Sequence, residues 1–180
     1  MSNPSDQCSA RVFFALWPSA PERDRLAVWL TPLQRLCGGR AMRGETLHNT
    51  LVFIGEVEKY ELEALQLAAQ EVSAESFELC FDEARYWGHN HIVYAAPSKV
   101  PQQLALLVSE LEQHLALHHF KFDRREYKPH VTLLRNAHWT DVRLPEMLPV
   151  RWQISDFALV QSLSHGGLAS YRVLARFPLS

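Results

Sequence analysis

Cysteine is scarce: three residues in 180, Cys8, Cys37 and Cys80, with no C-x-x-C spacing. So sparse and odd a set excludes a disulfide framework and fits a reducing compartment. Charge of one sign is also missing. The net charge is −2, so no chain-wide basic field exists and any contact with nucleic acid must come from a local patch. No apolar run is long enough to span a bilayer, and Met1–Ala10 is polar, without the apolar stretch of a signal peptide. A soluble, cytoplasmic protein without membrane contact is expected. None of the seven glycines builds a phosphate loop of the Walker or dinucleotide type, and the G-x-S-x-G signature of a serine nucleophile is absent. What remains is ordinary globular material, with 47% apolar and 21% charged residues. Its length fits one domain, 1–180, in one or two lobes.

Threonine is rare as well, at five positions, and two of them follow a histidine by two residues with leucine next. His48-Asn49-Thr50-Leu51 opens one apolar stretch, and His130-Val131-Thr132-Leu133 opens a second 82 residues later. Each reads as a buried β-strand. Period-two alternation sends His48 and Thr50 to one face, and His130 and Thr132 to one face of the other strand. A lone histidine on a strand is ordinarily packed or edge material. The repeat points instead to four polar groups gathered around one point.

Along the chain, residues 1–9 read as a flexible lead-in and Arg11–Trp17 as a strand closed by Pro18. Ser19 caps a helix to about Leu30; Thr31-Pro32, with Gln34 three residues after the threonine, reads as the capped start of another. Gly38-Gly39 ends it, and Arg40–Leu47 is a polar connection. Residues 58–73 form an acidic amphipathic helix. Phe77–Trp87 reads as one strand, Gly88-His89-Asn90 as its turn and His91–Ala96 as the return. Leu104, Leu107, Val108, Leu111 and Leu115 predict a helix over 101–117. Residues 136–149 form a long loop. Arg151–Leu163 then pairs with Tyr171–Leu179 as a hairpin around Ser164-His165-Gly166-Gly167. The order β-α-β-α-β-β-α-β-β-β is that of a mixed or α+β sheet protein.

These features resemble the two-histidine phosphoesterase superfamily, which is marked by paired H-x-T motifs about eighty residues apart. The resemblance is greatest to the bacterial and archaeal RNA 2′,3′-cyclic phosphodiesterases, also called 2′-5′ RNA ligases. Arg11–Leu16 resembles their opening strand, Leu47–Val57 and Pro129–Arg135 their two motif segments, and Gly166–Leu179 their ending. Asn49 departs from the pattern, where an apolar residue is usual. Because alternation points it away from His48, altered packing is expected there. The resemblance implies a bilobal α+β fold, with two facing, mostly antiparallel sheets flanking a cleft and helices outside. It implies hydrolysis of a 2′,3′-cyclic phosphate at RNA ends or on nucleotides to a 2′-phosphomonoester, without a metal or other cofactor. It gives His48 as proton donor, His130 as proton acceptor and Arg135 as a phosphate contact.

The chemistry suits the residues. Two imidazoles on opposite sides of one phosphorus supply the acid and the base of an in-line displacement, and histidine can hold either protonation state near neutrality. Thr50 and Thr132 hydroxyls would meet charge on the non-bridging oxygens. Strict alternation puts Arg135 on the face opposite His130, unless the strand ends or bulges near Leu134. Lys121–Arg135 carries five basic residues against two acidic ones. Arg125 there, and Arg40 and Arg43 before the first motif, are candidate phosphate contacts. Tyr127 and Trp87 are candidate stacking residues. His114, His118 and His119 have a spacing that can bind zinc, but no carboxylate or cysteine completes the set. The helix dipole accounts for them. His89 and His91 read as turn residues, and His138 and His165 as loop residues. A monomer is expected. Ligation of 2′-5′ RNA ends, the same step reversed, and non-catalytic binding of RNA ends are the alternatives.

Overall fold

Strand β1 (Ser9–Leu16) is buried on both faces, and that places it inside a sheet. Val12, Phe14 and Leu16 are fully buried in the main core, while Phe13 and Ala15 join a smaller apolar cluster with Ala158 and Val160. The computed structural model describes residues 8–141, 143–165 and 168–180. The remaining elements are α1 (Ala20–Ala27), α2 (Leu30–Cys37), β2 (Arg40–Ala41), β3 (Asn49–Glu58), α3 (Leu62–Gln70), β4 (Phe77–Phe81), β5 (Glu83–Trp87), β6 (Ile92–Ala96), α4 (Gln102–Leu117), β7 (Val131–Arg135), β8 (Val150–Ile154), β9 (Asp156–His165) and β10 (Leu168–Pro178). They form two four-stranded sheets, ordered β10-β9-β1-β3 and β2-β7-β6-β5, and a two-stranded sheet, β4-β8. Each of these strand pairs is antiparallel.

Several sequence expectations change at this level. Phe77–Trp87 is two strands in different sheets, because the chain turns at Asp82, whose carboxylate accepts the Ser98 N–H at 2.7 Å. Arg151–Leu163 likewise divides at Ser155, sending β8 to β4 and β9 to β1 and β10. The apolar alternation changes phase at each bend, at Asp82-Glu83 and at Ser155-Asp156, and reading each stretch as one strand passes over that break. Ser9 belongs to β1 rather than to a flexible lead-in, whose residues 1–7 lie outside the described residues. His165 ends β9 instead of standing on a loop, and Gly166 and Gly167 at the hairpin tip lie outside the described residues. His91 has φ 56° and belongs to the turn, so β6 starts one residue later.

Ser19 opens α1 as expected, its N–H (3.1 Å) and hydroxyl (2.7 Å) both donating to Glu22. Thr31 does not cap α2. That helix begins at Leu30, after the buried Trp29, whose indole N–H donates to the Leu148 carbonyl at 3.1 Å. Pro32 falls in the first turn, where its missing N–H has no intrahelical partner to lose. Helix α3 is shorter than the acidic segment, which starts as a single 3₁₀ turn over Lys59–Glu61. Arg40–Leu47 is not wholly a connection, since Arg40–Ala41 pairs with β7 and Gly44–Thr46 forms a 3₁₀ turn.

Helix α4 buries the five residues its spacing named. At its end, Glu71 from the α3 terminus reaches His114 Nδ1 (3.2 Å) and His118 Nε2 (3.1 Å). The helix dipole alone is therefore not their partner: Glu71 comes from 43 and 47 residues away, and Glu110, one turn back on α4, also lies 3.6 Å from His114. Among the described residues, no group of three or more His, Cys, Asp or Glu is placed to hold a metal ion. No helix among them is long and apolar enough to cross a membrane.

Candidate active site

The two H-x-T segments lie in different sheets. His48 stands one residue before β3, at the edge of the first sheet, and His130 one residue before β7, inside the second. Both strands carry the same irregularity. In β3, Thr50 faces Ala15 and Val52 faces Phe14, which leaves Leu51 as an extra residue. In β7, Thr132 faces Tyr94 and Leu134 faces Val93, which leaves Leu133 extra. Such a bulge reverses the alternation beyond it. The residue five places after each histidine, Phe53 or Arg135, thereby returns to the face that carries the threonine. The conflict over Arg135 is resolved by a bulge at Leu133.

One cleft of about 270 Å³ collects the result, with His48, Thr50 and Phe53 from one segment and His130, Thr132 and Arg135 from the other. The two imidazoles are held alike. His48 Nδ1 lies 2.7 Å from the Thr46 carbonyl, and His130 Nδ1 lies 2.7 Å from the Lys128 carbonyl. A carbonyl only accepts, so each Nδ1 carries hydrogen and each Nε2 is left for proton exchange. Aromatic rings fix the planes. Trp17 stacks on His48 at 5.1 Å, with Phe13 and Tyr171 also at 5.1 Å; Trp87 stands edge-on to His130 at 4.8 Å. Burial lowers the His48 pKa to about 4, opposed by the Thr46 carbonyl and reinforced by His130 and Arg135. Burial also lowers that of His130, against the Lys128 carbonyl and with help from Arg135. Both rings are therefore poised to be neutral in the free protein.

The other named residues divide. Arg40 and Arg43 are outside the cleft; Arg43 donates to the Ala169 carbonyl at 2.8 Å and pairs with Glu45 at 3.4 Å. Arg125 is exposed and held by Asp123, with Nε at 2.8 Å from Oδ2. It lines an adjoining groove of about 540 Å³, together with Trp87, Tyr127 and His130. Tyr127 turns its hydroxyl inward to Asn49 Oδ1 at 2.9 Å, so it has no hydroxyl to offer a phosphate. Burial raises the pKa of this phenol, partly offset by the Asn49 bond. Asn49 is fully buried, with an amide nitrogen that has no partner.

Tyr127→Phe is accordingly expected to lower stability by about 1–2 kcal/mol, because it strips Asn49 of its one side-chain bond. Asn49→Val combined with Tyr127→Phe removes both polar groups and should recover that loss. Urea midpoints of the two variants check this, and a double variant less stable than Tyr127→Phe alone refutes it.

Sequence reasoning missed Arg11, Ser162 and Tyr171, which also line the cleft. Arg11 and Phe13 share a face by alternation, but only the register of β1 against β3 and β9 brings that face to His48.

The signature of the 2′-5′ RNA ligase superfamily matches residues 22–166. The chain belongs to this superfamily. Over 170 residues, 94% of this chain and 97% of the relative, it is 29% identical to the RNA 2′,3′-cyclic phosphodiesterase of Escherichia coli K12. The apo crystal structure of E. coli LigT superposes with a TM-score of 0.87 at 29% identity, covering 96% of this chain and 99% of LigT. LigT complexed with 3′-AMP gives 0.86 at 28%, with the same coverage. A Thermus thermophilus protein, 22% identical with a TM-score of 0.78 over 93% of this chain and 97% of its own, shares the fold. In this superfamily's mixed α+β, antiparallel architecture, the cleft described above falls between the two four-stranded sheets.

Proposed function

We propose that the chain hydrolyses 2′,3′-cyclic phosphates at RNA ends, or on nucleotides, to 2′-phosphomonoesters without a metal. Membership of the superfamily and the likeness to the E. coli enzyme make it a LigT-like phosphoesterase. The observation that carries the finer reading is the matched pair of imidazoles, each fixed through Nδ1 to a carbonyl two residues back and both facing one cleft with Arg135.

In that reading His130 takes a proton from water, and the water oxygen attacks phosphorus. The bond to the ribose 3′ oxygen breaks, and His48 gives that oxygen its proton. Thr50, Thr132 and Arg135 meet the charge on the non-bridging oxygens. His48 has to be protonated first, although its pKa in the free protein is about 4. The phosphodiester anion supplies the remedy. A negative charge beside an imidazolium favours its charged form and offsets the repulsion from Arg135. The substrate thereby draws in the proton that its own leaving group needs.

The test is incubation with a 2′,3′-cyclic nucleotide in excess EDTA. Undiminished turnover to the 2′-phosphate is expected. Turnover lost to EDTA and restored by a divalent metal would overturn the metal-free reading, and a 3′-phosphate product would overturn the leaving-group assignment. Ligation, in which a 5′ hydroxyl attacks in place of water, has one observation in its favour. The adjoining groove reaches His130 as well as Thr50 and Phe53 of the other strand, which leaves room beside the nucleophile's imidazole for a chain ending in a 5′ hydroxyl.

A further inference from the structure

The two halves of the cleft are built alike except in one respect. At the place where β7 offers the Arg135 guanidinium, β3 offers the ring of Phe53. Charge is nonetheless present on that side. Arg11, on the neighbouring strand β1, lays its guanidinium over the Phe53 ring at 5.0 Å, a cation–π contact that leaves its N–H donors available. Glu56 is directly across the ladder on one side and Ser162 on the other, and no carboxylate among the described residues forms an ion pair with Arg11.

Arg11 and Arg135 do not serve the same point. Arg135 stands on the strand that follows His130 and lowers the pKa of both imidazoles, whereas Arg11 faces Glu56, toward the far end of β3 from His48. Arg11 lines the central cleft from β1, which pairs with β3, the strand that follows His48, so it belongs to the His48 sheet. On the reading proposed above, that is the side of the departing ribose oxygen, and so of the nucleoside and the chain leading to it.

We infer that Arg11 binds the next phosphate along the RNA, the one on the 5′ oxygen of the nucleoside that carries the cyclic phosphate. The inference rests on the proposed cyclic phosphodiesterase reading and gives that site a substrate preference. A nucleotide end with a 5′-linked phosphate would be favoured over a bare nucleoside cyclic phosphate. The Phe53 ring beneath the guanidinium restrains it, which reduces the rotamer freedom lost on binding.

The experiment compares kcat/KM for cytidine 2′,3′-cyclic phosphate with that for the same compound bearing a 5′-phosphate. The wild-type protein, Arg11→Gln and Arg11→Lys are each measured, with circular dichroism and thermal melting to verify folding. Wild type is expected to prefer the 5′-phosphorylated substrate. In Arg11→Gln that preference should fall about tenfold to a hundredfold, the worth of a charge-assisted hydrogen bond. Arg11→Lys should fall in between, keeping the charge but losing the fork. The preference in wild type should also weaken with added salt, more steeply than in Arg11→Gln. Equal losses on both substrates, or an unchanged preference in a folded Arg11→Gln protein, overturn the inference. If wild type turns over neither compound, the failure lies instead with the cyclic phosphodiesterase reading.

Discussion

His48→Ala is expected to lower kcat on a 2′,3′-cyclic nucleotide by about 10²–10⁴-fold, and His130→Ala by a similar factor, each with only a small change in KM. In the proposed mechanism these imidazoles act within one displacement, so the double variant should be far less impaired than the product of the two factors. A small KM effect follows from the layout, because Thr50, Thr132 and Arg135 remain to hold the phosphate when either ring is gone. Steady-state kinetics on the three variants check all of this. Near wild-type turnover by His48→Ala would end the assignment of the proton donor. The control is Trp17, which stacks on His48 at 5.1 Å; near-ultraviolet circular dichroism in the Ala variant reports whether that aromatic box has kept its shape.

The second large effect is on pH dependence. His48 has a pKa of about 4 in the folded chain, against an ordinary value of 6.5. Between those values the unfolded chain binds more protons than the folded one, so stability rises with pH. The contribution is fully present above about pH 6.5 and is lost as pH falls toward 4. At 1.36 kcal/mol per unit the span amounts to at most about 3 kcal/mol, which solvent screening of this half-buried ring reduces to about 2 kcal/mol. Urea unfolding of wild type and His48→Gln from pH 7 to pH 4.5 is the measurement, and the variant should lose correspondingly less stability over that window. Parallel curves would show that His48 is not buried as a neutral ring.

The same shift marks the kinetics. For kcat/KM, which reports the free enzyme, the form with His48 charged fades as pH rises from 4, so its optimum should lie on the acid side of 6.5. For kcat, which reports the complex, the bound anion lifts the His48 pKa and the alkaline limb should move to higher pH. The two profiles belong to a coupled pair of imidazoles rather than to either ring alone.

Much of the site could be read without coordinates because it is built from local repeats. His-x-Thr places two polar groups on one face through the backbone pleat alone. Leu104, Leu107, Val108, Leu111 and Leu115 state a helix by spacing, and all five are buried. What failed were statements that depended on a strand continuing. Phe77–Trp87 and Arg151–Leu163 each divide between two sheets, at Asp82-Glu83 and Ser155-Asp156, where two adjacent polar residues shift the phase of the apolar alternation. Thr31 looks like a helix cap, but burial of Trp29 starts the helix earlier. Asn49 could be flagged as a departure. That it would pair with Tyr127, 78 residues away, could not.

By itself, the order of residues determined which groups are the candidates for chemistry, namely two imidazoles and two hydroxyls at fixed intervals along apolar strands, because the two-residue pleat acts at short range. Only the tertiary structure decided that Arg135 turns back to the side of His130, that Phe53 rather than a cation occupies the matching place, and that Arg11 arrives from another strand to cover it. Bulges and strand register are settled by which ladder each residue joins and how much apolar surface that buries. Both depend on partners far away in the chain.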